Sequence, residues 1–198
     1  MFSQIILMLL DTACGFLSMA LVVRFALQFA RVSFRNPLGQ FVMAVTNWMV
    51  LPTRRFIPGL YGHDLASVLL AWVWQIIYLL AAVALSTGFN GVSGLAATLN
   101  GVSPAPTGIA IIALLEVIKL ALYFAFAVVF VSAVFSWVNP HAPMAGIFNA
   151  LARPMLRPFQ RFIPPIGGVD LSPLALFVLL QIALMLLANL RTQVILNF

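Results

Sequence analysis

Charged side chains are few in this chain, and two aspartates stand out by their surroundings. Asp64 and Asp170 lie 106 residues apart, and each comes at or just before the start of a long apolar segment. An aspartate at such a point caps a helix, because its carboxylate accepts hydrogen bonds from the first backbone N–H groups and favours the positive end of the helix dipole. We expect capping to be the main role, with a ligand-binding or proton-binding role as an alternative. Ion pairs are compatible with capping, and the candidate partners are Arg54 or Arg55 for Asp64, and Arg157 or Arg161 for Asp170.

A second group of charges lies inside apolar segments. Glu116 and Lys119 are three residues apart, so they can pair on one face of a helix. At the offset of 106 residues, Asp11 falls at nearly the depth of Lys119, and we predict that the two bond if their helices pack side by side. Charges within a membrane usually face protein or water. The alternatives are structural pairing with snorkelling to the outer interface, or a proton or cation relay. For Arg24, near the other end of its segment, we expect snorkelling to suffice.

No catalytic or metal-binding pattern accompanies these charges. His63 and His141 lie in connecting segments and have no neighbours at metal-ligand spacing. Cys14 is the only cysteine, which excludes an intramolecular disulfide and a CxxC site. A P-loop, a GxGxxG loop, an HExxH motif and a Ser/His/Asp arrangement are also absent from the sequence. We therefore expect no enzymatic activity, no cofactor and no metal.

The composition indicates an integral membrane protein. Hydrophobic residues make up 64% of the 198 residues and charged residues only 7%, whereas a soluble domain carries about 25% charged residues. Water could not cover so much apolar surface, so lipid must. The net charge of +6 does not indicate nucleic-acid binding, because the chain has no basic run and no polar face to lay on a duplex.

Four segments reach the roughly 20 apolar residues that a membrane-spanning helix needs, at residues 4–30, 65–85, 109–138 and 171–190. We expect the first to remain as a span rather than to be cleaved as a signal peptide. Asn36 and Pro37 are typical of an N-cap and a first helical residue. They open a shorter segment, 37–50, and a similar one covers 143–152. We predict amphipathic helices at the membrane interface, or re-entrant elements. Their helically spaced apolar residues are Leu38, Phe41, Val42, Val45, Trp48 and Met49, and then Met144, Ile147, Phe148 and Leu151.

The chain consists of two copies of one sequence repeat. Arg55-Phe56-Ile57-Pro58 recurs as Arg161-Phe162-Ile163-Pro164, and further identities follow at the same offset. Each unit contains a span, an interfacial helix, an Arg/Pro-rich turn and a second span. Both units therefore enter the membrane in the same direction, as parallel repeats. We predict an all-α integral membrane protein with four transmembrane helices: repeat 1 at residues 1–85, an uncharged linker at 86–108, and repeat 2 at 109–198.

The distribution of arginine predicts the orientation in the membrane. The connections after the first and third spans carry seven arginines, whereas the opposite side carries only Arg191. The positive-inside rule then places both connections in the cytoplasm and both termini outside. Reporter fusions to the two termini would test this. The arginines that we expect to contact anionic lipid headgroups, or a protein partner, are Arg54, Arg55, Arg153, Arg157 and Arg161.

Four groups of residues give the chain a resemblance to the YggT family of small bacterial membrane proteins, which has relatives in plastids. They are Asn36-Pro37, the run 52–58 with Asp64, Ser136-Trp137-Val138 and, most specifically, the run 153–173. The resemblance covers essentially the whole chain, although Arg153 replaces a residue that is often acidic and Gln160 one that is often basic. It implies a multi-pass protein of the bacterial inner membrane with no agreed catalytic activity. The family is linked loosely to osmotic and ion tolerance, to cell division and nucleoid organisation, and in plastids to assembly of a haem-containing cytochrome complex.

Two functions are consistent with these observations. The first is a non-catalytic scaffold or an assembly or homeostasis factor, which recruits lipids or membrane-protein partners through an arginine-rich cytoplasmic face. The second is a small ion channel or transporter that contributes to osmotic or cation tolerance through Asp11, Glu116 and Lys119. Four spans form a thin bundle, so a water-filled path would require a homo-oligomer. Ion flux into liposomes that contain the purified protein would separate the two hypotheses.

Overall fold

The computed structural model describes residues 2–55, 64–88, 106–139, 142, 144–162 and 170–197. Over these ranges the chain is all-α, as predicted. Its six helices are α1 (Phe2–Phe29), α2 (Pro37–Thr53), α3 (Leu65–Gly88), α4 (Pro106–Val138), α5 (Ala145–Phe162) and α6 (Ser172–Asn197). His63, His141 and most of the predicted linker lie outside the described residues.

Four of these helices, α1, α3, α4 and α6, are long and apolar enough to cross a membrane, which confirms the four predicted spans. The end of the fourth span was predicted wrongly. Helix α6 continues past residue 190 to Asn197 and includes Arg191. The continuation has a physical reason, since Arg191 is an intrinsically good helix former and its charge meets a carboxylate on α4.

Helix α2 begins as its sequence predicts. Asn36 has extended backbone angles, its side chain accepts a hydrogen bond from the Gly39 N–H at 2.7 Å, and Pro37 is the first helical residue. The predicted single apolar face is wrong, however. Val42 and Met49 are buried, whereas Phe41 and Trp48 are exposed. Helix α2 is therefore apolar on two sides, one against the bundle and one facing outward.

Helix α5 is longer than the predicted segment 143–152 and includes part of the predicted Arg/Pro-rich turn. Pro154 and Pro158 both lie inside it. Each proline removes one backbone N–H from the helix ladder. Both prolines are exposed, so water or headgroups can satisfy the carbonyls that lose a partner. Leu151 and Leu156 of the same helix are buried.

The two repeats differ in how their spans meet. In repeat 1, Ser18 and Ala71 are fully buried, and the Ser18 hydroxyl donates to the Ala71 carbonyl at 3.3 Å. Small residues allow two membrane helices to approach closely. At the offset of 106 residues, the corresponding positions of repeat 2 hold Phe124 and Phe177. At the seam between α4 and α6, the ring of Phe177 packs against Phe126, with ring centroids 4.7 Å apart.

Helices α1, α3 and α4 form the contact between the repeats. The first and third spans therefore do pack against each other. The Trp72 indole of α3 donates to the Ala110 carbonyl of α4 at 2.9 Å. A buried cluster that includes Leu27 of α1, Val42 of α2 and Val129 of α4 also joins the two halves.

Candidate functional site

Repeat 1 contains an internal ion cluster formed by Arg24, Arg54 and Asp64. The Arg24 Nε lies 3.4 Å from Asp64 Oδ2, and the Arg54 Nη2 and Nε donate to the same oxygen at 2.5 and 3.2 Å. Arg24 is only 3% exposed and Asp64 only 4%. Burying a charge is expensive unless it is paired and hydrogen-bonded, and here both conditions are met.

Polar side chains of α1, α2 and α3 form further hydrogen bonds to this cluster. The Arg24 Nη1 donates to Thr46 Oγ1 at 2.7 Å and to Asn47 Oδ1 at 2.8 Å, both on α2. The Ser67 hydroxyl of α3 donates to Asp64 Oδ2 at 3.0 Å, and the Asp64 N–H donates to Gln28 Oε1 of α1 at 2.9 Å. The cluster therefore ties α1, α2 and α3 together at one point.

These contacts correct two predictions from the sequence, which are snorkelling by Arg24 and helix capping by the Asp64 carboxylate. Arg24 does not snorkel to the interface, because it points into the bundle and pairs with Asp64. The Asp64 carboxylate accepts from side chains, while its carbonyl accepts the Ser67 backbone N–H. Burial raises the pKa of Asp64, but the hydrogen bonds from Arg54 and Ser67 and the arginine charges outweigh it, so the net pKa is lowered. The ion-pair alternative therefore describes Asp64 in repeat 1.

The corresponding aspartate of repeat 2 has different partners. Asp170 Oδ1 accepts the Ser172 backbone N–H at 2.9 Å, which is a capping contact, and Oδ2 accepts from Gln160 Nε2 at 2.8 Å. The predicted ion pair with Arg157 or Arg161 is not among the ion pairs of the described residues. The pKa of Asp170 is raised by burial but lowered overall by the hydrogen bonds from Ser172 and Gln160.

At the offset of 106 residues, repeat 2 has different residues at the positions of both cluster arginines. Gln160 takes the place of Arg54, and Phe130 takes the place of Arg24. Phe130 is 55% exposed, so it does not occupy the interior volume that Arg24 fills in repeat 1. The second copy has therefore lost both arginines of the ion cluster and kept only its aspartate.

Helix α5 carries three arginines, Arg153, Arg157 and Arg161, which we call the arginine face. Their spacing of four residues places them on one side of the helix. All three are exposed, and none takes part in an ion pair within the described part of the chain. In repeat 1, by contrast, Arg54 pairs with Asp64 while its side chain stays 41% exposed, and Arg55 is exposed.

A third group of charges lies at the opposite end of the bundle. Glu116 pairs with Lys119, as predicted, and also with Arg191, whose Nε lies 3.1 Å from Glu116 Oε1. The predicted bond between Asp11 and Lys119 is absent from the described ion pairs. Both residues instead line a shared cavity of about 590 Å³ between the repeats. Its polar lining residues are Asp11, Thr12, Gln75, Tyr78, Glu116, Lys119 and Arg191.

Helix geometry gives the depth of this third group. At about 1.5 Å per residue, Asp11 lies about 27 Å from the end of α1 at Phe29, and Arg191 about 29 Å from the start of α6. These distances approach the roughly 30 Å thickness of the hydrocarbon core. The charges therefore lie near the opposite interface, which favours structural pairing over a relay at the membrane centre.

Sequence reasoning missed several residues of the ion cluster. Four of them are isolated polar residues in or beside apolar segments, and nothing in their spacing indicates that they bind a charge. They are Thr46, Asn47, Gln28 and Ser67. A comparison of the repeats could have found them, because the second copy has an apolar residue, a proline or an arginine at each of these positions. Those residues are Ala152, Arg153, Val134 and Pro173.

The fold and these contacts define the class of protein: an all-α integral membrane protein with four spanning helices. The family model described as CCB3/YggT matches residues 3–85 and 111–191. The chain therefore belongs to the CCB3/YggT family. The two matched segments contain α1 to α3 and most of α4 to α6.

Relatives from bacteria match nearly the whole chain. It is 34% identical over 182 residues to the "Uncharacterized protein in proC 3'region" of Vibrio alginolyticus, covering 91% of this chain and 92% of the relative. It is 34% identical over 183 residues to "Uncharacterized protein PA0392" of Pseudomonas aeruginosa, covering 91% and 87%. It is also 34% identical over 175 residues to "Uncharacterized protein YggT" of Escherichia coli K12, covering 88% and 84%. No solved structure matches the chain.

Proposed function

We propose that this chain is a non-catalytic protein of the bacterial inner membrane that acts as a scaffold or as an assembly or homeostasis factor. The arginine face of α5 lies at the cytoplasmic surface, where it contacts anionic lipids and membrane-protein partners. Both termini are periplasmic. The concentration of arginine at the ends of the bundle where α2 and α5 lie supports this orientation.

One observation carries the proposal: Arg153, Arg157 and Arg161 are exposed without an ion-pair partner within the described residues, on a helix whose other side is anchored in the bundle. Leu151 and Leu156 pack into the core and fix the helix orientation. A guanidinium group presents a planar fork of N–H donors that matches carboxylates and phosphates. The arginine face is therefore a fixed array of donors for an acidic protein surface or for headgroups.

A small channel or transporter is the second candidate, and the cavity between the repeats favours it. Asp11, Glu116, Lys119 and Arg191 line that cavity. Two features weigh against this function. Glu116 is already neutralised by two cations, and the cavity residues lie near one interface rather than across the membrane. The scaffold is therefore the function that the geometry supports better.

Site-specific photo-crosslinking in living cells tests the scaffold. A photo-reactive amino acid replaces Arg157, and in a matched control it replaces Leu51, which is exposed at the corresponding position of repeat 1. We expect a discrete protein adduct from position 157 and none from position 51. The second substitution Arg161→Glu should abolish the adduct, since it reverses a charge one helical turn away.

The outcome that would contradict the scaffold is equally specific. Position 157 would then yield only lipid adducts, or the same adducts as position 51. An adduct that persists with Arg161→Glu would show that the arginine charges do not recruit the partner.

A further inference from the structure

Repeat 2 contains a cavity that shares only Arg153 with the arginine face of the proposed scaffold. It has a volume of about 790 Å³ and lies between α4, α5 and α6, at the end of the bundle where the arginines lie. Its size falls in the range of small-molecule sites, roughly 300–1,000 Å³. Its polar lining residues are Ser132, Ser136, Asn149, Arg153, Gln160 and Asp170.

The sequence of repeat 2 differs from that of repeat 1 beside this cavity. Phe124 and Phe177 stand at the seam positions that Ser18 and Ala71 occupy in repeat 1, and Phe177 lines the cavity. The ring of Phe177 packs against Phe126, with ring centroids 4.7 Å apart. Phe130 stands in place of Arg24 and is largely exposed. Repeat 2 therefore has a phenylalanine ring in the cavity wall and no arginine at the position of Arg24.

The polar wall of the cavity carries one group of each charge. Arg153 has no ion pair among the residues that the structure describes, so its guanidinium can bind an anion such as a phosphate. Among the described residues, each oxygen of Asp170 accepts a single hydrogen bond, one from Ser172 and one from Gln160. An ionised carboxylate can accept about four, so Asp170 retains acceptor capacity for an ammonium group.

The other wall of the cavity is apolar and continues onto the outer surface of α6. Leu156, Leu171, Leu174 and Phe177 line it, and Leu174 is 63% exposed. Leu174 lies in the first turn of a membrane-spanning helix. An acyl chain could therefore lie against α6 while its headgroup enters the cavity.

We propose that this cavity binds a glycerophospholipid with a primary-amine headgroup, with the phosphate on Arg153, the ammonium group on Asp170 and an acyl chain along Leu174 and Phe177. A phosphatidylethanolamine has this chemistry. A phosphatidylglycerol lacks the cation that Asp170 would bind. A phosphatidylcholine has a bulky quaternary ammonium without N–H donors.

Native mass spectrometry of the purified full-length protein in detergent tests this site. Phosphatidylethanolamine, phosphatidylglycerol and phosphatidylcholine with identical acyl chains are titrated separately. We expect phosphatidylethanolamine to bind roughly tenfold more tightly than the other two, the size of one charge-assisted hydrogen bond. Asp170→Asn should remove this preference, and Arg153→Gln should weaken binding of all three lipids.

Two further variants separate the cavity from general surface charge and from misfolding. A Cβ atom at Gly146, which lines the cavity, would meet nothing within 4 Å. Gly146→Leu should therefore fill the cavity and block lipid without strain. Arg157→Gln removes the same charge one helical turn from Arg153, outside the cavity, and should leave phosphatidylethanolamine binding unchanged.

Any of three results would overturn the proposal. These are equal affinity for the three lipids, binding that Gly146→Leu does not reduce, and equal losses with Arg153→Gln and Arg157→Gln. The site shares with the proposed function only the placement of the arginines among the cytoplasmic headgroups. The two fail separately, because Gly146→Leu tests lipid binding alone, whereas crosslinking from position 157 tests partner recruitment alone.

Discussion

At the scale of single residues, the main finding is a charge inside the first span that is paired within the protein. Arg24 reaches Asp64, Thr46 and Asn47 in the interior of repeat 1. Removing one partner of a buried pair leaves the other charge uncompensated, which costs more than the pair itself contributes. The cluster therefore makes the relative position of α1, α2 and α3 specific.

The variant Arg24→Met tests this role. It takes the buried donor away from Thr46 and Asn47 and one of two cations away from Asp64. It should therefore destabilise the protein by about 3 kcal/mol and lower its melting temperature in detergent by on the order of 5–10 °C. Arg54→Met is the matched control and should cost less, because the Arg54 side chain is 41% exposed. Equal losses from the two variants would contradict an interior role for Arg24.

The lowered pKa of Asp64 also predicts how stability depends on pH. A carboxylate whose pKa is depressed in the folded state stabilises the protein fully above its unfolded pKa, about 3.9. That stabilisation is lost as the pH falls through the folded pKa. The melting temperature should therefore be steady from pH 7 to about pH 5 and fall steeply below pH 4. Asp64→Asn should make the melting temperature fall less steeply below pH 4. A fall as steep as in the parent protein would contradict the ion cluster.

At the scale of elements, the two shorter helices, α2 and α5, have different roles. Helix α2 begins at a tight approach, where a Cβ at Gly39 would lie 2.7 Å from the Phe34 Cα. Its inner side supplies Thr46 and Asn47 to the ion cluster. Helix α5 instead presents the arginine face outward and forms one wall of the cavity. Helix α2 is thus mainly structural, and α5 carries the groups available for binding.

Gly39→Ala and Gly146→Ala form a matched pair at the starts of these helices. Gly39→Ala should lower the melting temperature by several degrees, since overpacking typically costs about 1–3 kcal/mol. Gly146→Ala meets open space and should leave the melting temperature unchanged or raise it slightly, because alanine favours a helix over glycine. Thermal unfolding in detergent measures both. A Gly39→Ala variant as stable as the parent would rule out the close approach.

The elements were also where sequence reasoning succeeded best. Long apolar runs and the Asn36-Pro37 start signal follow from local chemistry, so the spans and the start of α2 could be predicted. The partners of Arg24 could not, because they depend on which residues three helices bring together. The capping role of Asp170 was predicted, but its contact with Gln160 was not, because that contact depends on how α5 meets the start of α6. The continuation of α5 through Pro154 and Pro158 was not predicted, because proline usually ends a helix. A helix can continue past an exposed proline when water or headgroups bind the backbone carbonyls that lose their hydrogen-bond partner.

At the scale of the whole molecule, the two repeats share their order of helices but have diverged in their use of charge. Repeat 1 places Arg24 and Arg54 on Asp64 and is closely packed at Ser18 and Ala71. Repeat 2 has phenylalanines at the seam, a cavity, and arginines on its surface. We interpret repeat 1 as the rigid half of the bundle and repeat 2 as the half that binds lipids and protein partners.

The most direct test of this division compares two variants at corresponding positions, Asp64→Asn and Asp170→Asn, by their melting temperatures in detergent without added lipid. Asp64→Asn leaves the buried Arg24 charge without its carboxylate and close to Arg54, and should lower the melting temperature by on the order of 10 °C. Asp170→Asn should change it by no more than about 2 °C, because asparagine is an equally good helix cap. Equal changes from the two substitutions would contradict the division of roles between the repeats.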